Sequence, residues 1–308
     1  KPEDREIFEK LLQKADVLLE NYRPGVMEKL GYGWDTLKDR HPSLVYGAVS
    51  GFGHSGPDML RPAYDMVVQA RGGVMSITGE KDREPVRVGA SIGDIVAGMF
   101  LAHGVLAALF ERKATGQGRK VDVAMLDSQL AILEHASALT HVNGTPPAPS
   151  GARHPSITPF ETFHASDGLF VIAAGNDALF VKLCHVLQLP LADDPRFKTN
   201  PARCENARLL KRLVEAVTIE FTKAHWIEKL ENAGIPTGPI QTVDQVMEDP
   251  QILARNMVVD ILNTDGVPTY KSAGNPIKIS DIPDPAIRPA APRLDGNRQE
   301  ILDWLATD

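Results

Sequence analysis

The stretch that most restricts the fold covers residues 86–133, VRVGASIGDIVAGMFLAHGVLAALFERKATGQGRKVDVAMLDSQLAIL. A short β-type run, VRV, leads into a long apolar helical run from Asp94 to Arg112. A glycine turn, TGQGRK, follows, and then Val121, Val123 and Met125 alternate as in a strand. A helix this apolar has to be buried against something, and the strand it feeds supplies the surface. Upstream, Ile7, Leu11 and Leu12 share one helical face, residues 16–21 read as a short buried strand, and residues 44–50 form another apolar run. Strand, helix and strand in alternation predict an α/β protein: a Rossmann-like large domain with a mainly parallel sheet and helices on its faces. Opening on a helix followed at once by a strand is half of an α/β repeat, so a further strand and helix are expected before Lys1.

The large domain is assigned to residues 1–142. Within it residues 63–71 read as a helix stopped by Gly72 and Gly73, and residues 127–141 as another. The segment NGTPPAPSGARHPS carries four prolines and marks a linker at 143–155. A smaller α+β domain then spans 156–270. Its runs 157–164 and 169–174, joined by ASDG, read as a hairpin, and Gly175, Asn176 and Asp177 cap a helix reaching 189. Helices are expected over 202–221, 224–233 and 243–256, with the strand-like GPIQ between the last two. Residues 271–308 form a β-like, proline-rich tail ending in a helix, expected to return to the large domain.

Composition removes several classes of function. A formal net charge of −7 argues against nucleic-acid binding. Cys184 and Cys204 stand in no metal-ligand spacing, so no metal is expected, and reduced thiols in a cytoplasmic protein are. The most apolar stretch contains His103 and ends in Glu111 and Arg112, short of the roughly 18 apolar residues of a membrane helix, so a soluble protein without a membrane partner is expected.

Three motifs bear on chemistry. Gly51, Gly53 and Gly56 spell G-x-G-x-x-G after a strand, but the loop runs into Pro57 instead of opening a helix, which argues against a dinucleotide. Gly89, Ser91 and Gly93 spell G-x-S-x-G, the pattern of an esterase nucleophile elbow, with Asp167 and His185 as downstream partners; otherwise Ser91 is a helix-entry residue. Asp94 overlaps that motif at the start of the long helix. It reads either as a capping acid or as a carboxylate nucleophile with Gly93 leaving its approach open, and spacing leaves both in play.

Taken in order, ADVLLENYRPG, YDMVVQARGG, TGEKDREPVRVGASIGDIVAGM, ALFERKATGQGRKVDVAMLDS, GNDALF, AGIPTGPI and VMEDPQ together resemble the family III (class III) CoA-transferases over nearly the whole chain. The resemblance implies that fold, an interlocked homodimer, acyl-CoA and a small carboxylic acid as substrates, and no permanently bound cofactor. It places the nucleophile of the family's G-x-x-x-x-D-x-x-x-G segment at Asp94, and Tyr64 near it; as a bare residue Tyr64 reads equally as a half-buried core tyrosine. Asn21, Tyr22 and Lys29 fall on CoA-contacting positions with Arg23 nearby, though without the resemblance they are a turn and a solvated helix face. Gly72 and Gly73, or the loop of Gly175, Asn176 and Asp177, are candidate donors to an oxyanion.

Against the family pattern, Asn297 and Arg298 replace a common acidic or amide residue and a histidine, and the segment expected before Lys1 would add CoA contacts. A chain that binds CoA without turning it over is therefore an alternative. The family's α-methylacyl-CoA racemases pair the aspartate with a histidine near the tyrosine region, where this chain reads RPAYDMV, so transfer is favoured. The stretch ARHPSITPFETFHASDGLFVIAAGND resembles members using succinyl-CoA and a dicarboxylate such as hydroxymethylglutarate, and lacks the glycine-run loop of formyl-CoA:oxalate enzymes. Arg153 and His154 could pair with a distal carboxylate or could be a surface pair.

Overall fold

The computed structural model describes residues 2–307, in two compact units that divide between Ala152 and Arg153. In chain order the first unit has α1 (Pro2–Lys14), β1 (Val17–Glu20), α2 (Val26–Leu30), α3 (Trp34–Arg40), β2 (Val45–Ser50), α4 (Asp65–Arg71), α5 (Val74–Ile77), α6 (Ile92–Thr115), β3 (Lys120–Ala124), α7 (Met125–Ala131) and α8 (His135–Asn143). The three strands form a parallel sheet in the order β1-β2-β3. Central β2 is buried along nearly its whole length, as a strand covered on both faces must be. On one face lies a core of Leu12, Met27, Leu37, Leu44, Tyr46 and Ala48. On the other lies α6, packed tightly at Gly104, where a Cβ would stand 2.5 Å from Val121 Cγ1.

The C-terminal end of α6 is tied to the starts of the strands. Arg112 donates to the carbonyls of Asp16 and Ser43 at 3.3 and 3.1 Å and to Asp16 Oδ1 at 2.8 Å. The helix therefore runs antiparallel to the strands, and its first turn lies at their carboxyl ends. Among the described residues α6 is long and apolar enough to cross a membrane, which corrects the expectation that no run comes near that length; its charges sit at its two ends and leave the middle uninterrupted. Its sheet-facing side is the packed face of an α/β crossover, while Ile95, Met99, Leu106 and Phe110 on its other side are exposed.

Two expected elements form differently. Residues 86–88 make no strand. The helix expected over 127–141 is two, α7 and α8, parted where Glu134 takes a φ of 51°.

The second unit has β4 (Phe160–Ala165), β5 (Gly168–Ala173), α9 (Asp177–Val186), α10 (Asn200–Glu205), α11 (Ala207–Thr218), α12 (Lys223–Asn232), β6 (Thr237–Pro239), α13 (Val243–Glu248), α14 (Pro250–Ala254), β7 (Val258–Leu262), β8 (Pro268–Ala273), β9 (Ile287–Arg288) and α15 (Arg298–Ala306). The β4–β5 hairpin forms as its alternation predicts and accepts β6 antiparallel on its edge. The start of the tail is built into this unit: β8 and β9 flank β7. The helix expected over 202–221 is interrupted at Asn206, whose side chain donates to the Ala202 and Arg196 carbonyls and so competes with the helical ladder. In α11 Ala207, Leu210, Val214 and Thr218 are buried at helical spacing against Phe163, Phe170 and Trp226. Cys184 and Cys204 are both free thiols.

At the centre of this unit sits a fully buried arginine. Arg203 donates to the carbonyls of Thr158 and Phe197 at 2.6 and 3.0 Å and to Asp177 Oδ1 at 2.6 Å, with its guanidinium over the Phe180 ring. A charge out of water is tolerable because donors and acceptors are matched. Replacing it by methionine would leave two buried carbonyls without donors. We expect Arg203→Met to lower the unfolding free energy by about 3 kcal/mol in urea titration.

Candidate active site

Parallel strands bring their following loops to one edge of the sheet, and ligands in such folds bind there. At this edge stand the 21–23 turn after β1, the 51–56 loop after β2, and the first turn of α6 with Asp94. Asn21, Tyr22, Arg23 and Lys29 are all exposed. The Tyr22 N–H donates to Glu20 Oε2 at 2.7 Å, and Arg23 O accepts from Val26 N–H, which closes the turn into α2. Of these four residues Tyr22 lines a cleft of about 450 Å³, together with Phe8, Leu18, Leu19, Met27 and Leu30.

Asp94 is the third residue of α6, and the N-cap position belongs to Ser91, which makes no side-chain capping bond. The Asp94 carboxylate accepts no hydrogen bond from any described residue. It therefore does not act as a capping acid. A helix N-terminus favours a carboxylate, yet the pKa of Asp94 is raised, first by partial desolvation and then by the neighbouring carboxylate of Asp65.

That neighbour holds the site together. Asp65 opens α4, and its Oδ1 accepts the Gly93 N–H at 2.8 Å while both its oxygens accept from Gln69 Nε2 at 3.1 and 2.9 Å. Gln69 is fully buried and accepts the Val88 N–H at 2.9 Å. The loop before α6 is thus pinned to α4 at two points, which explains why VRV makes no strand. Gly93 has to be glycine, because a Cβ would meet Val68 Cγ2 at 2.7 Å and Asp65 Oδ1 at 2.9 Å. Tyr64 and Asp94 flank the Asp65–Gly93 bond, one residue to either side. Tyr64 is 83% exposed, so it is not a core tyrosine.

The sequence reading picked out neither Asp65 nor Gln69. Their signal was available: an acid and an amide at i, i+4 beside the tyrosine, a pair that meets on one helix face.

Other expectations fare differently. Ser91 follows no strand, so the elbow geometry of a serine hydrolase does not form. Asp167 accepts the Lys223 N–H at 2.7 Å, and His185 lies within α9. The Gly72 N–H donates to Val68 O at 2.7 Å, which removes it as an oxyanion donor. The 51–56 loop opens no helix. In the second unit Asn176 caps α9 through Leu179 N–H, and Asp177 is held by Arg203. His154 is built into the approach to β4, its backbone donating to Phe160 O and its Nδ1 accepting the Ser156 N–H.

Residues 1–298 match the family described as CoA-transferase family III. An acetyl-CoA:oxalate CoA-transferase of Acetobacter aceti is 45% identical over 294 residues, 95% of this chain and 74% of that protein. A succinate–glutarate CoA-transferase of Agrobacterium fabrum is 33% identical, over 99% of this chain and 76% of that protein. Among solved structures, a CAIB/BAIF family protein from Brucella suis superposes with a TM-score of 0.85 at 37% identity, covering 99% of this chain and 79% of that one.

The raised pKa of Asp94 has a consequence for stability. Because its folded value stands above its unfolded one, the folded chain binds that proton more tightly, and a penalty sets in as pH rises through the ordinary aspartate range near 3.8. Asp94→Asn should therefore melt higher than the parent at pH 7, and the gap should close on acidification below that range, in thermal scans followed by circular dichroism.

Proposed function

This chain belongs to CoA-transferase family III, and we propose that it moves CoA from an acyl-CoA, succinyl-CoA first among the donors to test, to a small dicarboxylic acid through Asp94. The observation that carries this reading is an exposed, unengaged, pKa-raised carboxylate fixed by the Asp65–Gly93 bond at the carboxyl edge of a parallel sheet.

The Asp94 carboxylate attacks the thioester carbonyl carbon of the donor. A C–O bond forms, the C–S bond breaks, and CoA leaves as its thiolate from a mixed anhydride on Asp94. The thiolate then attacks the Asp94 carbonyl, releasing the donor acid as a carboxylate and leaving an aspartyl-CoA thioester. An acceptor carboxylate attacks that thioester, and the same two steps in reverse give the new acyl-CoA and free Asp94. Each bond broken is replaced by one of similar activation, so the exchange needs no external energy source. Tyr64, exposed beside the Asp65–Gly93 bond, donates a hydrogen bond to a substrate or intermediate oxygen in this scheme. Asn21, Tyr22, Arg23 and Lys29 hold CoA, with cations for its phosphates and a flat ring for its apolar parts. CoA enters as a substrate, and no resident cofactor takes part.

The reading extends to assembly and setting. A homodimer would cover the exposed stripe of Ile95, Met99, Leu106 and Phe110 on α6, and free thiols suit a cytoplasmic enzyme. Light scattering on the eluting protein should give twice the 33.5 kDa chain mass; a monomer mass removes the dimer from the reading.

Chemistry is tested by trapping. The protein is incubated with succinyl-CoA or acetyl-CoA and with oxalate or glutarate, quenched with hydroxylamine and digested. A hydroxamate on Asp94, absent from Asp94→Ala and kept by Ser91→Ala, supports transfer. An adduct on Ser91 supports the hydrolase, exchange of the α-hydrogen of a 2-methylacyl-CoA without transfer supports the racemase, and CoA binding with no adduct supports a non-catalytic binder.

A further inference from the structure

The glycine loop at 51–56 takes no part in the scheme above, yet its one histidine is buried and anchored on three sides. Glu20, the last residue of β1, is 8% exposed, so its carboxylate needs donors from within the chain. It has two: the Tyr22 N–H at 2.7 Å and the Tyr46 hydroxyl at 3.1 Å. Burial and the charge of Glu20 together push the Tyr46 phenol up, which keeps that donor protonated.

His54 completes the arrangement from the opposite side. Its Nδ1 lies 3.0 Å from Lys120 Nζ, and its backbone N–H donates to both oxygens of Asp122 at 3.2 and 3.0 Å. An ammonium offers only donors, so Nδ1 must accept and the ring proton must sit on Nε2. That proton is directed to Glu20, with Nε2 3.6 Å from Oε1 and no other partner for this buried nitrogen. At 3.6 Å the contact is electrostatic; a closure of roughly half an ångström would make it a hydrogen bond.

The alternation of the sheet places these groups on one face. Leu19 and Gly47 face α6, as does Val121, so Glu20, Tyr46, Lys120 and Asp122 lie on the other face, and His54 reaches over central β2 from β3 to β1. Buried polar clusters of this kind are often no more stable than apolar side chains of similar volume. What the polar version supplies is one fixed backbone contact, the Glu20 grip on Tyr22 N–H.

We propose that His54 and Glu20 are positioning residues for acyl-CoA, bracing the 21–23 turn from across the sheet. This rests on the reading that the turn holds CoA. His54 touches no substrate in it; the residue acts through Glu20 on the conformation of the turn.

Steady-state kinetics with acyl-CoA varied at saturating acid test the brace. His54→Leu and Glu20→Ala should each raise KM for acyl-CoA about tenfold, the loss of one charge-assisted contact, with kcat and KM for the acid within about twofold. His54→Gln, whose amide N–H reaches where Nε2 does, should restore most of the affinity. Tyr46→Phe, which removes one oxygen from a buried site and keeps its ring, should give a smaller rise in the same direction. The double variant His54→Leu, Glu20→Ala should be no worse than Glu20→Ala alone.

Lys29→Ala and Asn21→Ala separate the two levels. If neither moves KM for acyl-CoA, the CoA reading of the turn fails and the brace falls with it. If they raise it and His54→Leu does not, the turn stands and the brace is overturned. A parallel fall in kcat, both affinities and melting temperature, not relieved by His54→Gln, makes His54 a packing residue and also overturns the proposal.

Discussion

One hydrogen bond, from the Gly93 N–H to Asp65 Oδ1, determines where Asp94 stands. It joins two segments 28 residues apart and is made at the entrance to the longest helix of the chain. Charge-assisted bonds of this kind are short and directional, and the absence of a side chain at Gly93 is what lets the two backbones come close enough to form it. Gln69 supports the same carboxylate and reaches on to Val88, so both ends of the preceding loop are fixed. The helix then carries this local order outward. Packed on the sheet at Gly104 and tied to the strand starts by Arg112, α6 sets Asp94 at the edge where the loops after β1 and β2 also gather.

What could be read from the residues alone follows the range of the interactions. Periodicity and turn chemistry are local, and so β1, β2 and β3, the β4–β5 hairpin and the Asn176 cap were legible. The misread elements are those where a side chain takes or replaces a backbone bond that the periodic pattern assumes, whether from far along the chain or from close by. Residues 86–88 have the β-branched composition of a strand, but Gln69 takes the Val88 N–H and no strand partner does. Asn206 breaks a helical pattern of uniform appearance by bonding back to Ala202 O. The membrane-spanning length of α6 was underestimated for a different reason: His103 was counted as a break in its apolar run and Glu111 and Arg112 as its end, whereas the helix carries His103 on its exposed side and runs on to Thr115.

The site shows the same division. Asp94 and Tyr64 were singled out through the family resemblance, since spacing alone left each of them two readings, and the structure sets them on either side of the Asp65–Gly93 bond. Asp65 was not, since an acid in a first helical turn looks like ordinary complementarity to the helix dipole. His54 lies within the glycine motif at 51–56, whose sequence context gives that residue no role of its own. Its significance lies in Glu20 and Lys120, which are 34 and 66 positions away and meet it only through strand register.

The two adjacent acids divide the electrostatics between them. Asp65 accepts three hydrogen bonds, two from the Gln69 amide and one from the Gly93 N–H. Asp94 accepts none from a described residue, and its pKa is raised, first by partial desolvation and then by the Asp65 carboxylate. In the proposed transfer, attack on a thioester neutralises Asp94, and the repulsion present in the resting enzyme is absent from both the anhydride and the aspartyl-CoA. A carboxylate raised in this way is more basic, and in its ionised form a better nucleophile than a free aspartate. The same geometry gives the proposed nucleophile its glycine: the bond that positions Asp94 and the neighbouring charge that raises its pKa come from one side chain, and only a bare backbone lets that side chain so near.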